Sequence, residues 1–152
     1  MGTNGHHTRL LRFVRDLRND QTIQTDSIVA MELYPWHSKR FSSGSLRLDP
    51  HVVRDLVLEP AQSLKGQPPI IALGAYWVRY ITDHADDLGL TIKRRFGPRE
   101  DQPWPGTSRT RTVLVARTDS GGLVIAHKQQ GSGRPPGRRE TLTLRDTLGR
   151  SL

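Results

Sequence analysis

The sequence predicts an α/β fold: a small central parallel or mixed sheet flanked by helices, with a C-terminal β-hairpin and a basic tail. Three observations predict it. Apolar residues recur at helical spacing near the start, short β-branched runs end at Gly or Pro, and a strand, a tight turn and a helix follow one another in the middle of the chain. With 152 residues and 34% hydrophobic composition, the chain is sized for one domain, assigned to residues 1–130, with a flexible basic tail over 131–152.

Leu10, Leu11, Val14 and Leu17 alternate with Arg9, Arg12, Arg15 and Arg18, and Asn19-Asp20 closes the pattern, so an amphipathic first helix is expected. Ser27 to Tyr34 is apolar and partly β-branched, and Pro35 ends it, as in a buried strand opening into a loop. Asp49-Pro50 starts a helix over 50–63 whose Val52, Val53, Leu56 and Val57 face a core. Ile70 to Leu73 forms a strand ending at Gly74, and Tyr76, Trp77, Tyr80, Ile81 and His84 mark a helix over 76–88. Strands 27–34 and 70–73 should then pair in parallel across helix 50–63, with a right-handed crossover.

Residues 93–111, with Pro98, Pro103, Pro105 and Gly106 around Trp104, show no periodicity and read as a long exposed loop. Arg111 to Arg117 and Gly122 to Ala126 are β-type runs joined by Thr118-Asp119-Ser120-Gly121, the chemistry of a hairpin turn. Gly131 to Arg139 is Gly-, Pro- and Arg-rich and reads as a flexible basic segment, followed by a short helix or a frayed end.

Charge is divided unevenly along the chain. Residues 1–90 hold ten Lys+Arg and ten Asp+Glu, whereas residues 91–152 hold thirteen and five, so the whole excess of +8 falls in the second part. That asymmetry suits a polyanionic partner, most often nucleic acid, and equally a solvated basic surface. Cysteine is absent, which excludes disulfides, thiolate metal sites and cysteine nucleophiles. The polar first residues and the arginines within the first apolar cluster fit neither a signal peptide nor a membrane span, so a cytoplasmic location without membrane contact is expected. His6, His7, His37, His51, His84 and His127 show no three-ligand spacing, and no metal or cofactor is expected.

The richest chemistry lies in Glu32-Leu33-Tyr34-Pro35-Trp36-His37-Ser38, where a strand opens into a loop at the carboxyl edge of the sheet. His37 can shuttle a proton near neutral pH, Ser38 adds a hydroxyl, and Tyr34 and Trp36 offer faces for a nucleobase. A packed corner, with the rings in the core, would give the same pattern.

Tyr34-Pro35-Trp36-His37 resembles the Asp-Pro-Tyr-His water-activating loop of the uracil-DNA glycosylase superfamily. Residues 27 to about 90 also resemble a group of bacterial proteins that carry a Glu-x-Phe-Pro-Tyr-His-Ser segment. The resemblance implies a glycosylase-like fold and a nucleic-acid partner, with DNA favoured. It further implies Glu32, His37 and His127 as catalytic residues, with Tyr34, Trp36 and Ser38 binding substrate. Lys93, Arg94, Arg95, Arg134, Arg138 and Arg139 would then hold phosphates. Tyr34 stands where the glycosylases carry their catalytic carboxylate, and Glu32 is the nearest acid. Their later His-Pro-Ser motif has a loose counterpart in His127 to Ser132.

The expected function is therefore a glycosylase-like protein that binds nucleic acid, with or without catalysis. Two other classes stay open: a small-substrate hydrolase using His37 and Glu32, and a partner-binding domain presenting Tyr76, Trp77 and Tyr80.

Overall fold

A computed structural model describes residues 5–28, 47–100, 102–108, 110–128 and 135–149 of the chain. The fold is mixed α/β: a four-stranded mixed sheet with helices on both faces and a helix near the C-terminus. The elements are α1 (Gly5–Arg18), α2 (Pro50–Val53), α3 (Glu59–Ser63), β1 (Ile70–Leu73), α4 (Ala75–His84), β2 (Leu90–Phe96), β3 (Thr112–Thr118), β4 (Leu123–Lys128) and α5 (Arg138–Leu148). No helix among the described residues is long and apolar enough to cross a membrane.

Local chemistry sets the helix ends. Asn19 takes a left-handed conformation (φ 53°), and the Asp20 amide donates to the Arg15 carbonyl, a Schellman-type stop for α1. Asp49 caps α2 by accepting from the His51 amide at 2.9 Å, and Pro50 occupies the first turn, where its missing N–H costs nothing. Pro60 would collide with the carbonyl four residues earlier in a regular helix. The ladder instead widens into a π-type turn over Arg54–Leu58 before resuming as α3.

The strand order is β1-β4-β3-β2, with β1 parallel to β4 and β3 antiparallel to both β4 and β2. Alternation along the strands divides the interior into two layers. Val113, Val115, Leu123 and Ile125 meet Phe13 and Leu17 of α1 and Leu144 and Leu148 of α5. Leu114, Ala116, Val124 and Ala126 meet Tyr80 and Ile81 of α4 together with Val53 and Leu58.

β2 belongs to both layers because of a bulge. Its pairing shifts between Ile92 and Arg94, leaving Lys93 as the extra residue. Leu90 and Ile92 therefore pack on the α4 side, whereas Phe96 joins the α1/α5 side. An unbulged strand would place all three on one face.

Several expectations are revised. Lys93, Arg94 and Arg95 lie in β2, not in a loop, and Trp104 within the following segment is buried. The run 93–111 lacked visible periodicity because the bulge breaks the alternation at its start. The described parallel neighbour of β1 is β4; Thr25–Ser27 form a 3-10 turn, and residues 29–34 of the expected first strand lie outside the described residues. The stretch expected as a flexible tail contains α5, held down by Leu144 and Leu148. The strands expected to form a hairpin, β3 and β4, pair antiparallel around a turn in which the Gly121 amide donates to the Thr118 carbonyl.

Candidate functional site

Two charged constellations stand out, one buried and one exposed. The buried one joins β3, β4, α5 and the loop before β3. Arg111, His127 and Glu140 are only 3%, 1% and 9% exposed. His127 is near the end of β4, on the side facing α1 and α5, because it shares strand parity with Ile125 and Leu123. Arg111 precedes β3 and reaches the same layer, and Glu140 enters it from the first turn of α5.

Glu140 is the hub. One carboxylate oxygen accepts from the Trp104 indole N–H at 2.7 Å; the other accepts from the Thr107 hydroxyl at 2.7 Å, the Thr107 amide at 3.0 Å and the Ser108 amide at 3.3 Å. Arg111 Nε lies 3.1 Å from Oε2, an ion pair without a directed hydrogen bond from that nitrogen. The guanidinium also sits 5.7 Å from the centre of the Trp104 ring, within cation–π range. Burial pushes the Glu140 carboxyl up, but the Thr107 and Trp104 donors and the Arg111 charge outweigh it and hold the group below its ordinary value. Glu140 is therefore a carboxylate at neutral pH.

Arg111 Nη1 contacts His127 Nε2. A guanidinium can only donate, so Nε2 accepts and the ring proton sits on Nδ1. Burial, then the Arg111 charge, lowers the imidazole pKa from 6.5 to about 4, so His127 is neutral at pH 7. Its Nδ1 has no hydrogen-bond partner among the described residues. The Gly74 amide donates to the His127 carbonyl at 2.9 Å, tying the start of α4 to this edge of the sheet.

His127, which the resemblance implies as a catalytic residue, is withdrawn from solvent. Its Nε2 is committed to Arg111 and its ring is buried beneath the helical layer, so it serves to join β4 to Arg111 and, through Arg111, to α5. Sequence reasoning missed Arg111, Glu140, Trp104 and Thr107 as a unit. One signal was legible: Glu140, Leu144 and Leu148 recur every four residues, which places the glutamate on the inward stripe of a helix.

The exposed constellation is the edge strand β2. Lys93 and Arg94 are exposed and Arg95 is half-buried. With Ile92 and Gln102 they line a shallow concavity of about 180 Å³. The bulge turns Arg94 toward α5, where its Nη1 donates to the Thr147 carbonyl at 3.2 Å, and leaves Arg95 with the opposite strand parity. None of the three is paired with a described carboxylate. Arg138 and Arg139, at the start of α5, are also exposed.

Glu32, Tyr34, Trp36, His37, Ser38 and Arg134 lie outside the described residues, as does any meeting of His37 with His127. Tyr76, Trp77 and Tyr80 pack on one another, with Tyr76 and Tyr80 stacked at 5.4 Å and Trp77 edge-on to both at 5.8 Å. Tyr80 is buried and donates to the Leu48 carbonyl at 3.2 Å; burial pushes its phenol up to about 12. This cluster therefore contributes to the α4-side core. Comparison of the chain with protein families, characterised proteins and solved structures finds no match.

Proposed function

We propose that the protein binds nucleic acid through the cationic edge of its sheet, with Lys93, Arg94 and Arg95 contacting phosphates and Arg138 and Arg139 extending the contact. The observation that carries this reading is the three-cation run on β2, next to a shallow concavity, with no described carboxylate to neutralise it. The excess of thirteen basic over five acidic residues in the second part of the chain supports it, because such a surface attracts a polyanion. DNA is the favoured polymer, on the resemblance of residues 34–37 to the glycosylase loop. Base hydrolysis is a separate proposal that rests on Glu32 and His37, tested by base release from a uracil-containing duplex with His37→Ala as the control.

Fluorescence anisotropy with a labelled oligonucleotide tests binding across about 50 to 200 mM salt, where phosphate-dominated affinity falls steeply. Exchange of Lys93→Glu and Arg95→Glu together should weaken binding by about tenfold or more and flatten its salt dependence. Edge-strand cations can instead serve to block pairing with another copy of the sheet. Unchanged nucleic-acid affinity, with new self-association of the double variant, would replace the proposal with that role.

A further inference from the structure

Over Gly5–Arg18, α1 carries four arginines and a single acid. That acid, Asp16, is buried and turned toward α5, with its Oδ2 3.9 Å from Arg138 Nε. Arg15 is half-buried and donates to the Ile23 carbonyl at 2.8 Å. Arg9 and Arg12 are exposed, and three residues apart they share one helix face, where like charges repel. No described carboxylate pairs with either.

The first turn of α5 repeats this division, while its second acid, Asp146, is exposed and lies 3.3 Å from Arg145 Nε. Glu140 points inward, whereas Arg138 and Arg139 stand exposed in the first turn. Cations there oppose the helix dipole, so helix stability does not account for their placement. The two helices lie side by side on one face of the sheet, where Arg145 Nη1 donates to Asn19 Oδ1 at 3.2 Å just beyond α1. Arg94 of β2 reaches the same C-terminal turn of α5 through the Thr147 carbonyl. Exposed cations thus stand on α1, at the start of α5 and on the β2 edge that α5 meets.

Aromatic groups are missing from these exposed positions among the described residues. Phe13, Phe96 and Trp104 are buried, and Tyr76, Trp77 and Tyr80 sit on α4, against the opposite face of the sheet. Single-strand sites combine a cationic groove with rings on which bases stack, whereas cations alone contact phosphates and carry no sequence information. The exposed positions of α1 also lack large apolar side chains with which to enter a bilayer.

We infer that the α1/α5 layer is a second contact surface which, together with the β2 edge, holds the phosphate backbone of a double-stranded nucleic acid without reading its sequence. This rests on the nucleic-acid reading proposed above.

The test uses the full chain, two duplexes of unrelated sequence, their separate strands, and vesicles of mixed phosphatidylserine and phosphatidylcholine. The wild type should bind the two duplexes with similar affinity and the single strands more weakly. Exchange of Arg9→Glu and Arg12→Glu, both exposed and so neutral to the core, should weaken duplex binding by about tenfold or more and lower the salt slope by about two. Thermal unfolding of that variant should match the wild type. Wild-type affinity in the α1 variant, alongside loss in the Lys93/Arg95 variant, would overturn this inference and leave the nucleic-acid reading standing. Tighter binding to single strands, or to vesicles in place of duplex, would also overturn it. Failure of the wild type to bind any nucleic acid removes both.

Discussion

Replacing Glu140 with alanine removes the acceptor that joins α5, the loop before β3 and Arg111. Trp104 is buried, so its indole N–H loses its one partner among the described residues at a cost of about 1–3 kcal/mol. Arg111 remains a buried cation beside a neutral imidazole, and breaking a buried pair in this way typically costs about 3–5 kcal/mol. Thr107 is exposed and regains water, so its two bonds add little. Because the groups share one network the costs overlap, and about 4 kcal/mol is expected for Glu140→Ala. That is a large part of the roughly 5–15 kcal/mol that holds a domain of this kind together. In urea, with a slope of about 2 kcal/mol/M, the unfolding midpoint should fall by about 2 M. Glu140→Gln keeps an oxygen for Trp104 but not the charge, and should fall between alanine and wild type. Joint replacement Arg111→Met, His127→Leu and Glu140→Leu should recover much of the loss, since an apolar filling carries no desolvated charge. A midpoint shift below about 0.5 M for Glu140→Ala would refute the reasoning, because it would mean that water reaches Arg111 and Trp104.

Two further outcomes follow from the same cluster. His127 is held neutral with a pKa of about 4 against 6.5 in the open chain, so between those values the unfolded chain takes up a proton that the folded protein does not. Stability should therefore fall by about 3 kcal/mol as pH drops from about 6.5 to about 4. Glu140, whose carboxyl is held low, adds a loss below about pH 4.5. Melting temperature measured against pH for the wild type and His127→Gln checks this; curves that run parallel between pH 7 and 4 would contradict it. Gly106→Ala would place a methyl group against the Trp104 indole nitrogen and 2.5 Å from Glu140 Oε2, so it should destabilise by about 1–3 kcal/mol by prising that bond apart. A red shift of the emission from buried Trp104 would accompany it as the indole gains water, and an unchanged urea midpoint would argue against the close approach.

Where residue pattern and structure agree, one local period decides the element. α1 shows four apolar residues at helical spacing and an asparagine at the stop, and both features act within a few residues of each other. β1 followed by Gly74 and α4 is legible for the same reason: Gly74 takes φ 122°, open to glycine and strained for other residues, at the point where a strand must turn into a helix. β2 was hidden because its alternation holds only if the extra residue at Lys93 is known. Read without the bulge, Leu90, Ile92, Arg94 and Phe96 would share one face, with an arginine among three apolar groups. The register with β3 alone reveals that this is a strand serving two layers. The sequence leaves α5 open between a short helix and a frayed end, since its three arginines and interleaved threonines suggest solvent, and the four-residue step from Glu140 to Leu144 to Leu148 marks the inward stripe.

The buried site could not be legible in this way, because its members come from positions 104, 107, 111, 127 and 140, and no spacing along the chain predicts their meeting. Sheet register and helix docking bring them together: Val113 pairs with His127, which sets Arg111 one step beyond the ladder and within reach of the imidazole, while α5 delivers Glu140 from above. A consequence for charge follows. Asp16 and Glu140 are both withdrawn from the surface and face arginines of neighbouring elements, so they no longer offset Arg9, Arg12, Lys93, Arg94 and Arg139 as seen by an approaching polymer. Arg111 is withdrawn with Glu140, which leaves the buried pair near neutral, whereas the described ion pair of Asp16 is with Arg138, at 3.9 Å. The electrostatic field outside the α1/α5 layer is thus dominated by arginines, since Asp16 and Glu140 are turned inward and the exposed Asp146 lies beside Arg145. That is why the binding proposals are tested by reversing exposed cations on α1 and β2, while changes at Glu140 and His127 are expected to act on stability.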